Sequence, residues 1–135
     1  MVVSRWCLDT SAYSNFRRND AAIVELIDTA ATLLVPAIVL GELRSGFAQG
    51  RRQAENERAL AAFLRHPVIE ILNVDDAASV VYAEIIVALR RAGTPVPTND
   101  IWIAAVAACR GATVVTYDEH FRAIQRVGSL VLVSA

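Results

Sequence analysis

Five short apolar stretches, at residues 2–8, 32–35, 68–72, 112–115 and 130–133, alternate with segments whose apolar residues recur every three or four positions. The first pattern suits buried strands and the second amphipathic helices. Their alternation predicts an α/β fold, a three-layer α/β/α sandwich with a mostly parallel central sheet. Right-handed crossovers then bring the strand-to-helix turns to one edge of that sheet.

The helical segments read as follows. Residues 11–18 form a short helix or turn, and 20–30 a helix with Ile23, Leu26, Ile27 and Ala30 inward, capped by Asn19 or Asp20. Pro36 occupies the first turn of the next helix, where its missing N–H costs nothing. That helix carries Ile38, Val39, Leu40 and Leu43 on its apolar side and ends or loosens at Gly46, and 51–64 follows with Leu60, Phe63 and Leu64 inward. Asp75 or Asp76 starts a helix with Val80, Val81, Ile85, Ile86 and Leu89 as its stripe, closed by Gly93. Residues 101–109, apolar on every side and rich in alanine, predict a buried helix, and 118–127 a last one.

At 135 residues the chain suits one compact domain, and 55% hydrophobic against 20% charged residues excludes a disordered tail. A net charge of -1 gives the whole molecule no strong pull on nucleic acid, so such a surface has to be a local patch or acids bridged by cations. The local patch is residues 44–66, where Arg44, Arg51, Arg52, Arg58 and Arg65 face only Glu55 and Glu57. Those arginines serve as a solvated helix face or as a phosphate-binding one. Cys7 and Cys109 lack a metal or redox spacing and read as buried, reduced thiols. With no basic leader and no apolar run of membrane length, the expected location is cytoplasmic, without a membrane.

Four acids stand where this topology has functional edges. Asp9 follows the first strand, Glu42 lies in the second turn of the helix after the second, Asp100 opens the buried helix, and Asp118 follows the fourth strand. Ligands of open α/β sheets bind outside the carboxyl ends of the strands, so these side chains are expected to share a crevice. Each also has a simpler role, since Asp9 can cap a helix and Asp100 and Asp118 can favour a helix dipole. Glu42 interrupts an apolar run, where an unpaired carboxylate is costly. Thr98 or Asn99 is expected to cap the helix of Asp100, leaving that carboxylate free.

Carboxylates this close need a cation to offset their repulsion, and an oxygen-rich set suits Mg²⁺ or Mn²⁺. The chemistry of such a crevice is metal-assisted phosphodiester hydrolysis, with hydroxyls of Thr10, Ser11 and Thr116 serving a water or phosphate oxygen, or a cap or turn. His66 reads as solvent-facing, and His120 as a residue near Asp118 that either touches the site or does not.

Four segments, Leu8-Asp9-Thr10-Ser11-Ala12, Leu40-Gly41-Glu42-Leu43-Arg44-Ser45-Gly46, Asn99-Asp100-Ile101-Trp102-Ile103-Ala104-Ala105 and Thr116-Tyr117-Asp118-Glu119-His120-Phe121, resemble in this order the PIN-domain ribonucleases. The resemblance is to the VapC-type toxins of type II toxin-antitoxin systems, and it runs through residues 1–135 as a single PIN domain. It implies metal-binding acids at Asp9, Glu42, Asp100 and Asp118, a site hydroxyl at Thr116 and another at Ser11 or Thr10. It further implies Mg²⁺- or Mn²⁺-dependent endoribonuclease cleavage of RNA that stops translation. The implied partners are a VapB-type antitoxin, a second copy in a homodimer, and operator DNA reached only through the antitoxin. The rival readings are a metal-dependent DNA nuclease and a non-catalytic scaffold for nucleic acid or protein. A phosphoryl-transfer receiver domain is disfavoured because the chain has no lysine to contact a phosphoryl group.

Overall fold

In a computed structural model that describes residues 5–134, the apolar stretches form β1 (Arg5–Leu8), β2 (Thr32–Pro36), β3 (Ile69–Leu72), β4 (Thr113–Thr116) and β5 (Ser129–Val131). Residues 2–4 of the expected first strand lie outside the described residues. The strands make one sheet in the order β3-β2-β1-β4-β5, and every pairing is parallel, with Cys7 set between Leu34 and Val114. The central strands are apolar along their length because both faces are covered: Cys7, Leu8, Leu33, Leu34, Val114 and Val115 are all fully buried.

The helices are α1 (Thr10–Arg17), α2 (Ala21–Thr29), α3 (Ala37–Gln49), α4 (Gln53–Leu64), α5 (Asp76–Ala92) and α6 (Thr98–Cys109). Steps from β1 to β2 to β3 move one way across the sheet and the step to β4 moves the other way. Right-handed crossovers therefore set α1–α4 on one face and α5 and α6 on the opposite face. The strand order reverses between β1 and β4, the place where such sheets open a crevice. Among the described residues no helix is long and apolar enough to cross a membrane.

Local chemistry accounts for the elements and for several departures. Asp75 caps α5 by accepting from the Ala78 amide at 2.9 Å, and Gly93, at φ 69°, closes it. Its buried residues are Ala78, Val81, Ile85 and Leu89, so Val80 falls off the stripe and is 56% exposed. Helix α3 continues through Gly46 to Gln49, because an exposed glycine costs a helix only about 1 kcal/mol against alanine. Pro36 ends β2 and precedes α3 rather than lying within it. Asp20 occupies the N-cap position of α2, as expected, but its side chain makes no cap hydrogen bond there and its carboxylate accepts from the Tyr117 hydroxyl at 2.5 Å.

Helix α6 is buried from Ile101 through Ala107 apart from Trp102, which stacks on Tyr82 of α5 at a centroid distance of 3.8 Å. Cys109 emerges at its last turn and is exposed, contrary to the expectation of two buried thiols. Residues 118–127 make a 3₁₀ turn (Glu119–Ala123) and then irregular chain instead of a helix. Phe121 within the turn and Ile124 and Val127 in the irregular chain after it are buried and pin the segment to the core.

Candidate active site

The carboxyl ends of β1 and β4 hold the most constrained part of the site. Asp9 leaves β1 with its amide still bonded to the Val115 carbonyl at 3.2 Å and with the residue only 4% exposed. Its Oδ1 caps α1 by accepting from the Ala12 amide at 2.8 Å, and Ser11 Oγ donates to the same oxygen at 2.8 Å. Its Oδ2 accepts from the buried Thr116 hydroxyl at 2.5 Å. Asp9 thus caps α1 while standing at the carboxyl edge of the sheet. Burial pushes its carboxyl up, as does the charge of Asp118, while the bonds from Thr116, Ala12 and Ser11 pull it back towards the ionised form.

The three hydroxyls named from the sequence divide the work. Ser11 Oγ serves Asp9 and accepts from the Tyr117 amide at 2.9 Å, which ties the start of α1 to the end of β4. Thr10 Oγ1 instead donates to Glu42 Oε1 at 2.6 Å, and so answers how a carboxylate can stand in an apolar run of α3. Thr116 Oγ1, besides holding Asp9, accepts from the Asp118 amide at 2.9 Å.

Asp100 stands in the first turn of α6, which begins at Thr98 after Pro97 with no side-chain cap, so neither Thr98 nor Asn99 has the expected capping role. The Asn99 amide reaches towards Glu42 Oε2 at 3.5 Å. Burial first, then the charges of Asp118, Asp9 and Glu42, raise the Asp100 carboxyl to about 6, against a smaller lowering by its bond to His120. That three separate acids act on Asp100 is the electrostatic sign of their convergence.

His120 completes this side. Its Nδ1 lies 3.1 Å from Asp118 Oδ1 and 3.6 Å from Asp100 Oδ2. One donor atom each from Asp100, Asp118 and His120 lies within 4.8 Å of the other two, the set among the described residues suited to hold a metal ion. Asp9 and Glu42 flank that set without belonging to it. Sequence reasoning left His120 undecided, and its signal was its place two residues after Asp118, within one turn. Asn99 was missed for Glu42, since its position beside Asp100 gave no sign that α3 passes close by.

The arginines of residues 44–66 do not enter the acid cluster. Arg44 pairs with Glu57 at 3.3 Å, while Arg51, Arg52, Arg58 and Arg65 are exposed on or beside α4.

The sequence pattern of the PIN domain matches residues 6–127. Ribonuclease VapC5 of Mycobacterium tuberculosis is 34% identical over 129 residues, covering 93% of this chain and 92% of the relative. Ribonuclease VapC4 of the same organism is 36% identical over 93 residues, covering 69% and 72%. In the crystal structure of DNA-bound VapBC from Salmonella typhimurium, a chain superposes with a TM-score of 0.83 at 26% identity, covering 96% of this chain and 98% of that one.

Proposed function

We propose, since this chain belongs to the PIN-domain family and within it resembles the VapC toxins at 34% identity over nearly its full length, that it is a metal-dependent endoribonuclease. It hydrolyses RNA phosphodiesters, thereby inhibits translation, and is neutralised by a VapB-type antitoxin. The observation that supports this reading is that the charges of Asp118, Asp9 and Glu42 all act on Asp100, beside the point where the strand order reverses.

The donor set fits Mg²⁺ or Mn²⁺, because carboxylate oxygens dominate it and their mutual repulsion favours a divalent ion. When bound, such an ion supplies an activated water near neutral pH and positive charge for the phosphate oxygens. The side chains hold and orient. Asp9 is fixed from three sides by Ser11, Thr116 and the Ala12 amide. Glu42 is aimed by Thr10, and Asp100 and Asp118 complete the anionic wall.

The exposed Arg51, Arg52, Arg58 and Arg65 give RNA phosphates, or an acidic antitoxin segment, a basic surface to dock on. The VapBC complex from Salmonella typhimurium, bound to DNA, supports an antitoxin partner and operator DNA reached through it. A homodimer would join two local basic surfaces and offset the net charge of -1.

The test is cleavage of matched RNA and DNA oligonucleotides by the purified chain with Mg²⁺. RNA is cut, Asp100→Asn is inactive, and growth arrest on expression is relieved by the same substitution. Preferential cutting of DNA, or full RNA cleavage by the variant, refutes the reading.

A further inference from the structure

The side of the pocket formed by the 3₁₀ turn and α6 is not made of oxygen alone. His120 Nδ1 stands 3.1 Å and 3.6 Å from single oxygens of Asp118 and Asp100. Around one ion with bonds of about 2.1 Å, neighbouring donors of an octahedron are about 3 Å apart and opposite ones about 4.2 Å. The observed separations, all within 4.8 Å, therefore need only a small inward movement to become one coordination shell.

The turn is built to hold this arrangement. The His120 amide donates to Asp118 Oδ1 at 2.9 Å, which fixes the carboxylate relative to the ring two residues on. The next residue, Phe121, is fully buried and anchors the turn to the core. The imidazole itself is exposed on one side, so its position owes nothing to a need for burial.

We propose that His120 is a direct metal ligand, and that with this nitrogen beside the Asp100 and Asp118 oxygens the site takes a first-row transition ion, probed as Mn²⁺, in preference to Mg²⁺. The proposal rests on the acid cluster being a cation site and specifies which cation it selects. Mg²⁺ keeps its waters and accepts oxygen donors, whereas imidazole is a donor for transition ions. A purely carboxylate pocket has no such bias.

The test uses the full chain, stripped with chelator and loaded with Mn²⁺, read by pulsed electron paramagnetic resonance and by calorimetry. A nitrogen coupling from a directly bound imidazole is expected in the wild type and in His66→Gln, and is absent in His120→Gln. Mn²⁺ affinity falls at least about tenfold in His120→Gln, while Mg²⁺ affinity changes less than about twofold. Because the chain has only two histidines, ¹⁵N-histidine labelling of wild type combined with His66→Gln assigns the coupling even if His120→Gln folds poorly. Mn²⁺ binding that Asp100→Asn abolishes but that shows no nitrogen coupling overturns the role of His120 and leaves the acid cluster standing. Failure to bind Mn²⁺ at all removes both.

Discussion

Asp100→Asn tests the electrostatics of the pocket without any substrate. In the unfolded chain this carboxyl titrates near 3.8, and in the folded protein burial and three neighbouring acids raise it to about 6. Between those values the folded protein keeps a proton that the unfolded chain has lost, so the stability of the metal-free protein falls as pH rises through that window. The full cost is present above about pH 6 and absent below about pH 4. Two pKa units correspond to about 3 kcal/mol, which solvent screening at a side chain still 18% exposed reduces to about 1–2 kcal/mol. Asparagine keeps the shape and removes the charge. With chelator at pH 7.5 the variant should therefore melt about 3–8 °C above wild type, and at pH 4.5 the gap should nearly close. Saturating Mn²⁺ should reverse the order at pH 7.5, since only the wild type gains binding energy of that size. A variant no more stable than wild type at pH 7.5, or equally more stable at both pH values, would refute the account of mutual repulsion.

Thr116→Val removes the donor to Asp9 and the acceptor of the Asp118 amide in a fully buried position. It should cost about 1–3 kcal/mol in urea unfolding, with Thr116→Ser recovering most of the loss. Tyr13 Oη is buried and has no hydrogen-bond partner among the described residues, so Tyr13→Phe should unfold at equal or higher urea, by up to about 1 kcal/mol. A clear loss of stability there would expose a partner for the hydroxyl.

The strand alternation was legible because a sheet covered on both faces needs continuous apolar runs, and Cys7, Leu8, Leu33 and Leu34 supply them. Asp9, Asp100 and Asp118 were legible for a related reason, since each follows a strand or opens a helix and the parallel topology carries those points to one edge, while Glu42 stood out by interrupting an apolar run. What depended on distance between elements was not legible. Nothing near Asn99 in sequence announces Glu42, and nothing near Asp20 announces the Tyr117 hydroxyl. Val80 was misplaced because apolar residues at adjacent positions cannot all face one side of a helix. The 118–127 segment differs from the expected helix because only Glu119–Ala123 coils, as a 3₁₀ turn, before the chain runs on irregularly to β5. Cys109 was misjudged because apolar composition on every side does not reveal where a helix leaves the core.

The wall of the pocket contributed by β1 and β4 and the wall contributed by the 3₁₀ turn differ in kind. Asp9 is held at the ends of parallel strands with both oxygens engaged, whereas Asp118 stands at the entry of the five-residue 3₁₀ turn that carries His120, tied to β4 through Thr116 and to the core through Phe121. The first wall is a datum set by the sheet and the second is set by a short turn, so substitutions within that turn should displace Asp118 and His120 while Asp9 keeps its place.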